Sequence, residues 1–566
     1  MTAPAAAPAP PRVRRQAAAG VAAVALCFAL FAVAETVLTW REREETRAID
    51  HPYLVARRAD LAREPGSTAI PAEIRREEQA LRARFLVAER RLAAGGWLLL
   101  AGVGVFAAAA KIALAARPRG PVPAARDFGW DPDRAPSFLG RASLAGIAAL
   151  LAGTAVGLPL LRERSDAVES ARGTWARFRG AGGLGISPYS DAPLAVDARE
   201  GEERNLRWKA VTPLPGLSSP VVWNERVFLT GATASTREVY CYDALTGALL
   251  WRRPVGAGPA SATGPESVWE ETGYAAPTPV TDGAHVWALF ANGDVVCLDV
   301  FGQQRWCRGL GVPENLYGLA ASPILSGELL IVQIDQEWGA GETRSALVAL
   351  SAATGEVAWR TPRDVESSWP TPIPIETPDG PRILTCANPF AIAYDPASGR
   401  EVWRADCLEG DGGPSPVFAG GLVFVVNAGS PLTALRPDGE GDVTDSHVAW
   451  RWEEGLPDVC SPLAGEGLVW LLASDGHLTC LDDATGARVW EHDLERSFYS
   501  SPALAGDRVY AISRKGEILV IAAAREYREL ARGHLGEECD TSPAFAEKRL
   551  YVRGRRHLFC FQEGAR

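Results

Sequence analysis

The stretch CYDALTGALLW, Cys241–Trp251, decides the fold of this chain because the chain writes it again and again. Near-identical phrases run ALSAATGEVAW (Ala349–Trp359), AYDPASGREVW (Ala393–Trp403) and CLDDATGARVW (Cys480–Trp490), with a shorter copy, CLDVFGQQRW, at Cys297–Trp306. Each reads as a strand, a tight turn and a second strand. The Asp side chain can bond turn amides, the Gly supplies a positive φ, and apolar residues alternate on either side. The closing tryptophans, Trp251, Trp306, Trp359, Trp403 and Trp490, hold one repeat position on the second strand. A large flat ring at a fixed place is suited to filling a wedge between successive sheets.

Working outward, each phrase is preceded by a Ser-Pro or Thr-Pro pair that opens a hydrophobic strand. The pairs begin at Ser219, Thr278, Ser322, Thr371, Ser415, Ser461, Ser501 and Ser542, with spacings of 59, 44, 49, 44, 46, 40 and 41 residues. A period in this range with several short strands per repeat predicts an all-β, eight-bladed β-propeller of four-stranded blades over residues 205–566. The last copy stops at HLFCF (His557–Phe561) and lacks its own Trp-bearing strand. NLRWKAV (Asn205–Val211), just ahead of the first copy, has Trp208 at the matching place and is expected to complete the last blade, hiding open sheet edges. Blades five and seven have lost the consensus turn, at 436–445 and 522–526.

The phrase resembles the tryptophan-docking motif of pyrroloquinoline-quinone-type propellers. The chain is most similar to the PQQ-binding-like β-propeller repeat proteins, through Leu217–Thr230, Tyr274–Asp282 and Gly441–Trp450 as well as the repeats. That group includes quinoprotein dehydrogenases and also the lipoprotein of the outer-membrane barrel-assembly machine, which has no quinone. The resemblance implies a docking role for Trp208, Trp251, Trp306, Trp359, Trp403 and Trp490. It also makes PQQ with calcium the cofactor to test for.

The first 204 residues are a different object. Residues 17–38, 92–116 and 142–161 are long apolar stretches, the last of them twenty residues without a charge, and such lengths can cross a bilayer as helices. The reading is a cytoplasmic tail (1–16), a first span (17–38) and a helical extracytoplasmic loop (39–91). A second span (92–116), a cytoplasmic loop (117–141), a third span (142–161) and a linker (162–204) follow. Arg12, Arg14 and Arg15 before an apolar run also resemble a signal peptide, with Ala32-Val33-Ala34 as a cleavage site. The apolar run continues through Val37 and Leu38, so an uncleaved anchor is expected. The N-terminal arginines and the five in 117–141 favour the cytoplasmic side. That orientation makes the chain a multi-pass protein of a bacterial inner membrane, with the propeller in the periplasm or outside the cell.

A formal net charge of −11 offers no basic footprint for nucleic acid. Nine of the ten cysteines fall in the propeller. Cys241, Cys297, Cys480 and Cys560 occupy equivalent places in different blades, too far apart for disulfide geometry and better read as small buried hydrophobes. Cys297 with Cys307, and Cys386 with Cys407, are within-blade pairing options. Phosphate-loop, nucleophile-elbow, HExxH and zinc-ligand spacings are all missing from the sequence, so no catalytic or metal residue is nominated.

Acids near the ends of the innermost strands (Glu266, Glu270, Glu271, Asp335, Glu337, Asp458, Glu538 and Asp540) read first as acidic loop surface. The longest departures from the repeat are the insertion 256–272 and the loop 335–344. They make Trp269, Glu270, Glu271, Asp335, Glu337 and Trp338 the candidate interaction residues, since exposed Trp is favoured at binding centres. The functional expectation is a membrane-anchored scaffold or ligand-binding propeller with a protein partner. A PQQ-dependent dehydrogenase of alcohols or sugars, and a sensor subunit relaying to a membrane partner, are the alternatives.

Overall fold

The repeat phrase folds into a meander of antiparallel strands, and eight such sheets surround one axis. The computed structural model describes residues 174–256, 268–337 and 344–565. Blade one runs Val221–Trp223, Arg226–Ala232, Arg237–Asp243 and Leu249–Pro254 from the axis outward. Middle strands such as Asp294–Asp299 are buried at every residue, because a neighbouring blade covers each face of the sheet. Outer strands such as Val357–Pro362 alternate between half-buried and exposed. Leu206–Val211 pairs antiparallel with His557–Gln562, so the strand before the first repeat is the outer strand of blade eight.

The tryptophan phrase is a stapling device between blades. In every blade the outer strand bulges one residue before the docking position: Cys241 faces Trp251 while Tyr242 faces Leu249, leaving Leu250 as the extra residue. Such a bulge sharpens local twist and re-aims the side chain beside it. The indole then reaches the turn of the following blade. Trp251 Nε1 donates to Val300 O (2.9 Å), Trp306 to Ala352 O (2.9 Å), Trp359 to Pro396 O (3.1 Å) and Trp403 to Pro437 O (2.9 Å). Trp490 donates to Ala524 O (2.9 Å), and Trp208 closes the ring at Ala244 O (3.1 Å). The residue facing the indole is Cys241, Cys297, Cys480 or Cys560 in four blades. All nine described cysteines are free thiols, so neither within-blade pair forms a disulfide. Burial pushes the Cys241 and Cys480 thiols up to about 12, which suits inert packing groups.

The rings of Trp208, Trp251, Trp306 and Trp359 lie on the turn glycines Gly247, Gly302, Gly355 and Gly399. At Gly399 φ is +70°, and a Cβ would sit 2.4 Å from the Trp359 ring. Gly399→Ala is therefore expected to cost about 3 kcal/mol, from the left-handed backbone together with the displaced indole. Gly421→Ala, at φ +80° with nothing within 4 Å, isolates the backbone part at about 1–2 kcal/mol. Equal midpoint shifts of the two variants in urea would remove the indole from the argument.

The core lies between blades rather than inside them. One cluster joins Trp287, Leu289 and Cys297 of blade two to Leu330, Val332 and Val348 of blade three, and comparable clusters recur at the following junctions. The largest fuses blades seven, eight and one with Trp175, Ala192, Val196 and Ala198 from ahead of the repeats.

That fusion corrects the reading of 162–204 as a linker, for its described part is built into the propeller. Thr174–Trp175 pairs with the innermost strand of blade one, and Ile186–Ser187 pairs in parallel with Leu504–Ala505 of blade seven. Further on, blade seven has Ala531 where other blades have the docking Trp. Val196 and Leu194 pack in this cluster beside Ala531, and the Ala198 amide donates to His534 O at 2.7 Å. Tyr510 Oη and Arg508 Nη1 hold Pro193 O (3.1 Å) and Ala192 O (2.8 Å). The strap thus fills the one junction without an indole.

Residues 17–38, 92–116 and 142–161 lie outside the described residues. Among the described residues no helix is long and apolar enough to cross a membrane.

Candidate binding site on the propeller axis

The Ser-Pro and Thr-Pro pairs meet at the axis. The Ser219 amide donates to Thr278 Oγ1 (2.9 Å), Thr278 to Ser322 Oγ (3.0 Å), and Ser322 to Thr371 Oγ1 (3.0 Å). The ladder continues from Thr371 to Ser415 Oγ (2.9 Å), Ser415 to Ser461 Oγ (3.0 Å) and Ser461 to Ser501 Oγ (3.0 Å). Ser501 donates to Ser542 Oγ and Ser542 back to Ser219 Oγ, both at 3.1 Å, closing a ring. The following proline holds each Ser or Thr in extended backbone, which fixes the hydroxyl's direction. Sequence reading registered the pairs as strand openings; their spacing was the available signal for the ring.

This ring is the waist of an axial well of about 150 Å³. The residues two positions before each hydroxyl form its rim: Leu217, Ala276, Ala320, Trp369, Gly413, Val459, Tyr499 and Asp540. Its floor is Phe178, from the segment that crosses beneath the axis. Along that segment Ala176 O accepts from the Thr281 amide of blade two, and Arg179 Nη2 donates to Pro462 O of blade six (2.7 Å). The well therefore opens on the loop face, where outer strands hand over to the next blade.

On that face the two regions singled out in sequence come together through a third. Glu314 O accepts from the Glu337 amide, Asn315 Nδ2 donates to Asp335 O (2.9 Å), and Leu316 O accepts from the Trp269 amide (3.3 Å). An aromatic path results, with Trp269 5.9 Å from Tyr317 and Tyr317 4.8 Å edge-on to Trp369 at the rim. Trp369 is aimed by its Nε1 donation to Asn315 Oδ1 (2.8 Å). Trp269 and Leu316 are 48% and 50% exposed. Sequence reasoning missed Leu316, Tyr317 and Trp369, which lie in ordinary-length connections.

The acids fare differently. Glu270, Glu271 and Glu337 are exposed, with Glu271 Oε2 accepting from Trp269 Nε1 at 2.6 Å. Asp335 is a correction to the expected contact surface: it is buried, in a bidentate pair with Arg363 (2.8 and 3.2 Å), because it extends a middle-layer strand rather than a loop tip. Asp458 caps Ser474, and Asp540 is held by Arg514 (3.0 Å) and Arg555. Glu266 and Trp338 lie outside the described residues.

These residues do not fit a quinone with calcium. The well is smaller than the roughly 300–1,000 Å³ pockets that enclose cofactor-sized ligands. Its one lining carboxylate, Asp540, is already engaged by two arginines. No group of three or more His, Cys, Asp or Glu among the described residues could hold a metal ion.

Eight four-stranded blades, stapled by indoles that dock on the next blade's turn, define a PQQ-type β-propeller. A family model described as outer membrane protein assembly factor BamB matches residues 188–336 and 343–563, and the chain belongs to that family. The outer membrane protein assembly factor BamB of Yersinia pestis is 24% identical over 254 residues, which cover 43% of this chain and 62% of that protein. The BamB of Burkholderia pseudomallei is 26% identical over 218 residues, covering 33% and 54%. The chain thus spans between about half and three fifths of the length of these relatives. Quinohemoprotein alcohol dehydrogenase ADHIIG from Pseudomonas putida HK5 shares the fold, with a TM-score of 0.51 and 14% identity over 71% of this chain and 82% of that one. The floor segment, 174–187, lies ahead of the matched residues.

Proposed function

We propose that this propeller is an interaction scaffold whose loop face receives a protein partner beside the axis on blades two to four. The observation that carries the reading is the aromatic path from exposed Trp269 through Tyr317 to Trp369, flanked by exposed Leu316. Aromatic residues with an apolar neighbour are the composition of binding hot spots, and loops on a rigid ring can present them without disturbing the blades. The relatives' description as outer membrane protein assembly factors makes assembly of envelope proteins the setting, with the propeller in the periplasm. The apolar stretches 17–38, 92–116 and 142–161, with no charge beyond Glu35 and Lys111, would tether it to the inner membrane.

Trp269→Ala is expected to reduce capture of the partner in cells by tenfold or more, as hot-spot truncations costing about 2 kcal/mol do. Its melting temperature should stay within about a degree, since half the ring is already in water. Site-specific photocrosslinking from position 269 in living cells identifies what docks. Unchanged capture by Trp269→Ala and by a Leu316→Ala companion would remove this face from the interaction.

A further inference from the structure

Each hydroxyl of the axial ring accepts an amide proton, and none of the eight donates its own proton to a protein group among the described residues. All eight line the well. Buried hydroxyls are ordinarily satisfied as donors too, so the well calls for an occupant rich in acceptors.

Charge says which kind. Arg179, adjacent to the floor residue Phe178, is fully buried; Nη2 donates to Pro462 O (2.7 Å) and Leu184 O (3.2 Å), while Nε and Nη1 have no partner among the described residues. Arg553 is equally buried in the wall between blades eight and one. Its Nη1 donates to Ser218 Oγ and Thr230 O, both at 2.7 Å, while Nε and Nη2 have no partner among the described residues. Ser218 and Pro462 are chain neighbours of the ring residues Ser219 and Ser461. No carboxylate among the described residues pairs with either guanidinium, and burial pushes Arg179 down to about 9 and Arg553 to about 10. Asp540 at the rim is spent on Arg514 and Arg555. Buried charges are paired in stable proteins because an isolated one is costly. Two uncompensated cations therefore lie behind the cup of hydroxyl donors, bonded to neighbours of ring residues and not themselves lining the well.

We propose that the axial well is a binding site for a small inorganic anion of halide size. The ring hydroxyls donate to it, and Arg179 and Arg553, buried behind the well's lining, supply the countercharge through the wall without contact. Water would satisfy the hydroxyls but leave both cations unneutralised, and a metal cation would add to the positive charge.

Bromide is the probe. The full chain is melted in sodium bromide and in sodium gluconate at equal ionic strength, and crystals grown in bromide are measured at the bromine edge. The expected result is a higher melting temperature in bromide, because a ligand of the folded state stabilises by mass action, and an anomalous peak inside the hydroxyl ring. Arg179→Met should weaken the apparent bromide affinity about tenfold, some 1.4 kcal/mol. Should that variant fail to fold, Ser501→Ala, which removes one donor, is read in its place. Superimposed melting curves, a peak only at the outer surface, or undiminished bromide dependence in the variant read would each overturn the proposal.

Discussion

Trp403→Ala is expected to lower the unfolding free energy by about 4 kcal/mol, more than the same change at any other docking tryptophan. Truncating a fully buried Trp leaves a cavity that a packed core closes only in part, at a typical cost of 3–5 kcal/mol. Trp403 is 1% exposed and belongs to the cluster shared by blades four and five. It is the most buried because the lost turn of blade five has become something else: Gly441–Asp442 folds back as a fifth strand, parallel to Trp403–Arg404. Its hydrogen bond to Pro437 O goes with the indole, worth about 1 kcal/mol net. Trp490, half-buried on a strand with no such cover, should lose roughly half as much on truncation. Urea denaturation followed by circular dichroism checks the ranking without depending on the removed fluorophore. Equal losses at 403 and 490 would mean that the hydrogen bond, common to both, dominates over burial.

What could be read in the sequence is what repetition copies. A repeat places the same side chain at the same register in each blade, so strand order, blade number, the docking indoles and the closing strand at Leu206–Val211 were visible as periodicity. Trp450 shows the limit: it faces Ala434 and docks on Asp483 O at 3.0 Å like its counterparts. It escaped notice as a docking residue because the turn before it has lost its consensus, although it lies 47 residues after Trp403 and 40 before Trp490. The crossing segment escaped for a different reason. Gly180, Gly182, Gly183 and Gly185 look like a tether, yet each has positive φ, and at Gly185 a Cβ would fall 2.6 Å from Arg179 Nη2. Glycine there makes room for a guanidinium rather than for motion. The aromatic path was illegible because Trp269, Tyr317 and Trp369 come from three successive connections, and only the stacking of blade on blade makes them neighbours.

Asp335→Ala is expected to cost about 3–5 kcal/mol of stability, the range for removing one partner of a buried ion pair. The carboxylate takes Arg363 Nε at 2.8 Å and Nη2 at 3.2 Å, Ser368 Oγ at 2.6 Å and Gln333 Nε2 at 2.8 Å. Arg363 Nη1 in turn reaches Thr385 Oγ1 (2.6 Å) and Tyr394 Oη (3.1 Å), and neither partner of the pair is exposed. The network bolts blade three to blade four. Removing the carboxylate strands a guanidinium where water does not reach, which is dearer than losing the pair. Asp335→Ala combined with Arg363→Met should therefore be more stable than Asp335→Ala alone, a coupling that a double-mutant cycle measures directly. Function should follow at one remove, because the Asp335 carbonyl holds Asn315, and Asn315 aims Trp369. A contact residue on the loop face would behave in the opposite way, losing partner capture at full stability. A stable Asp335→Ala protein, or a double variant no better than the single, would show that the charge is not confined as the geometry requires.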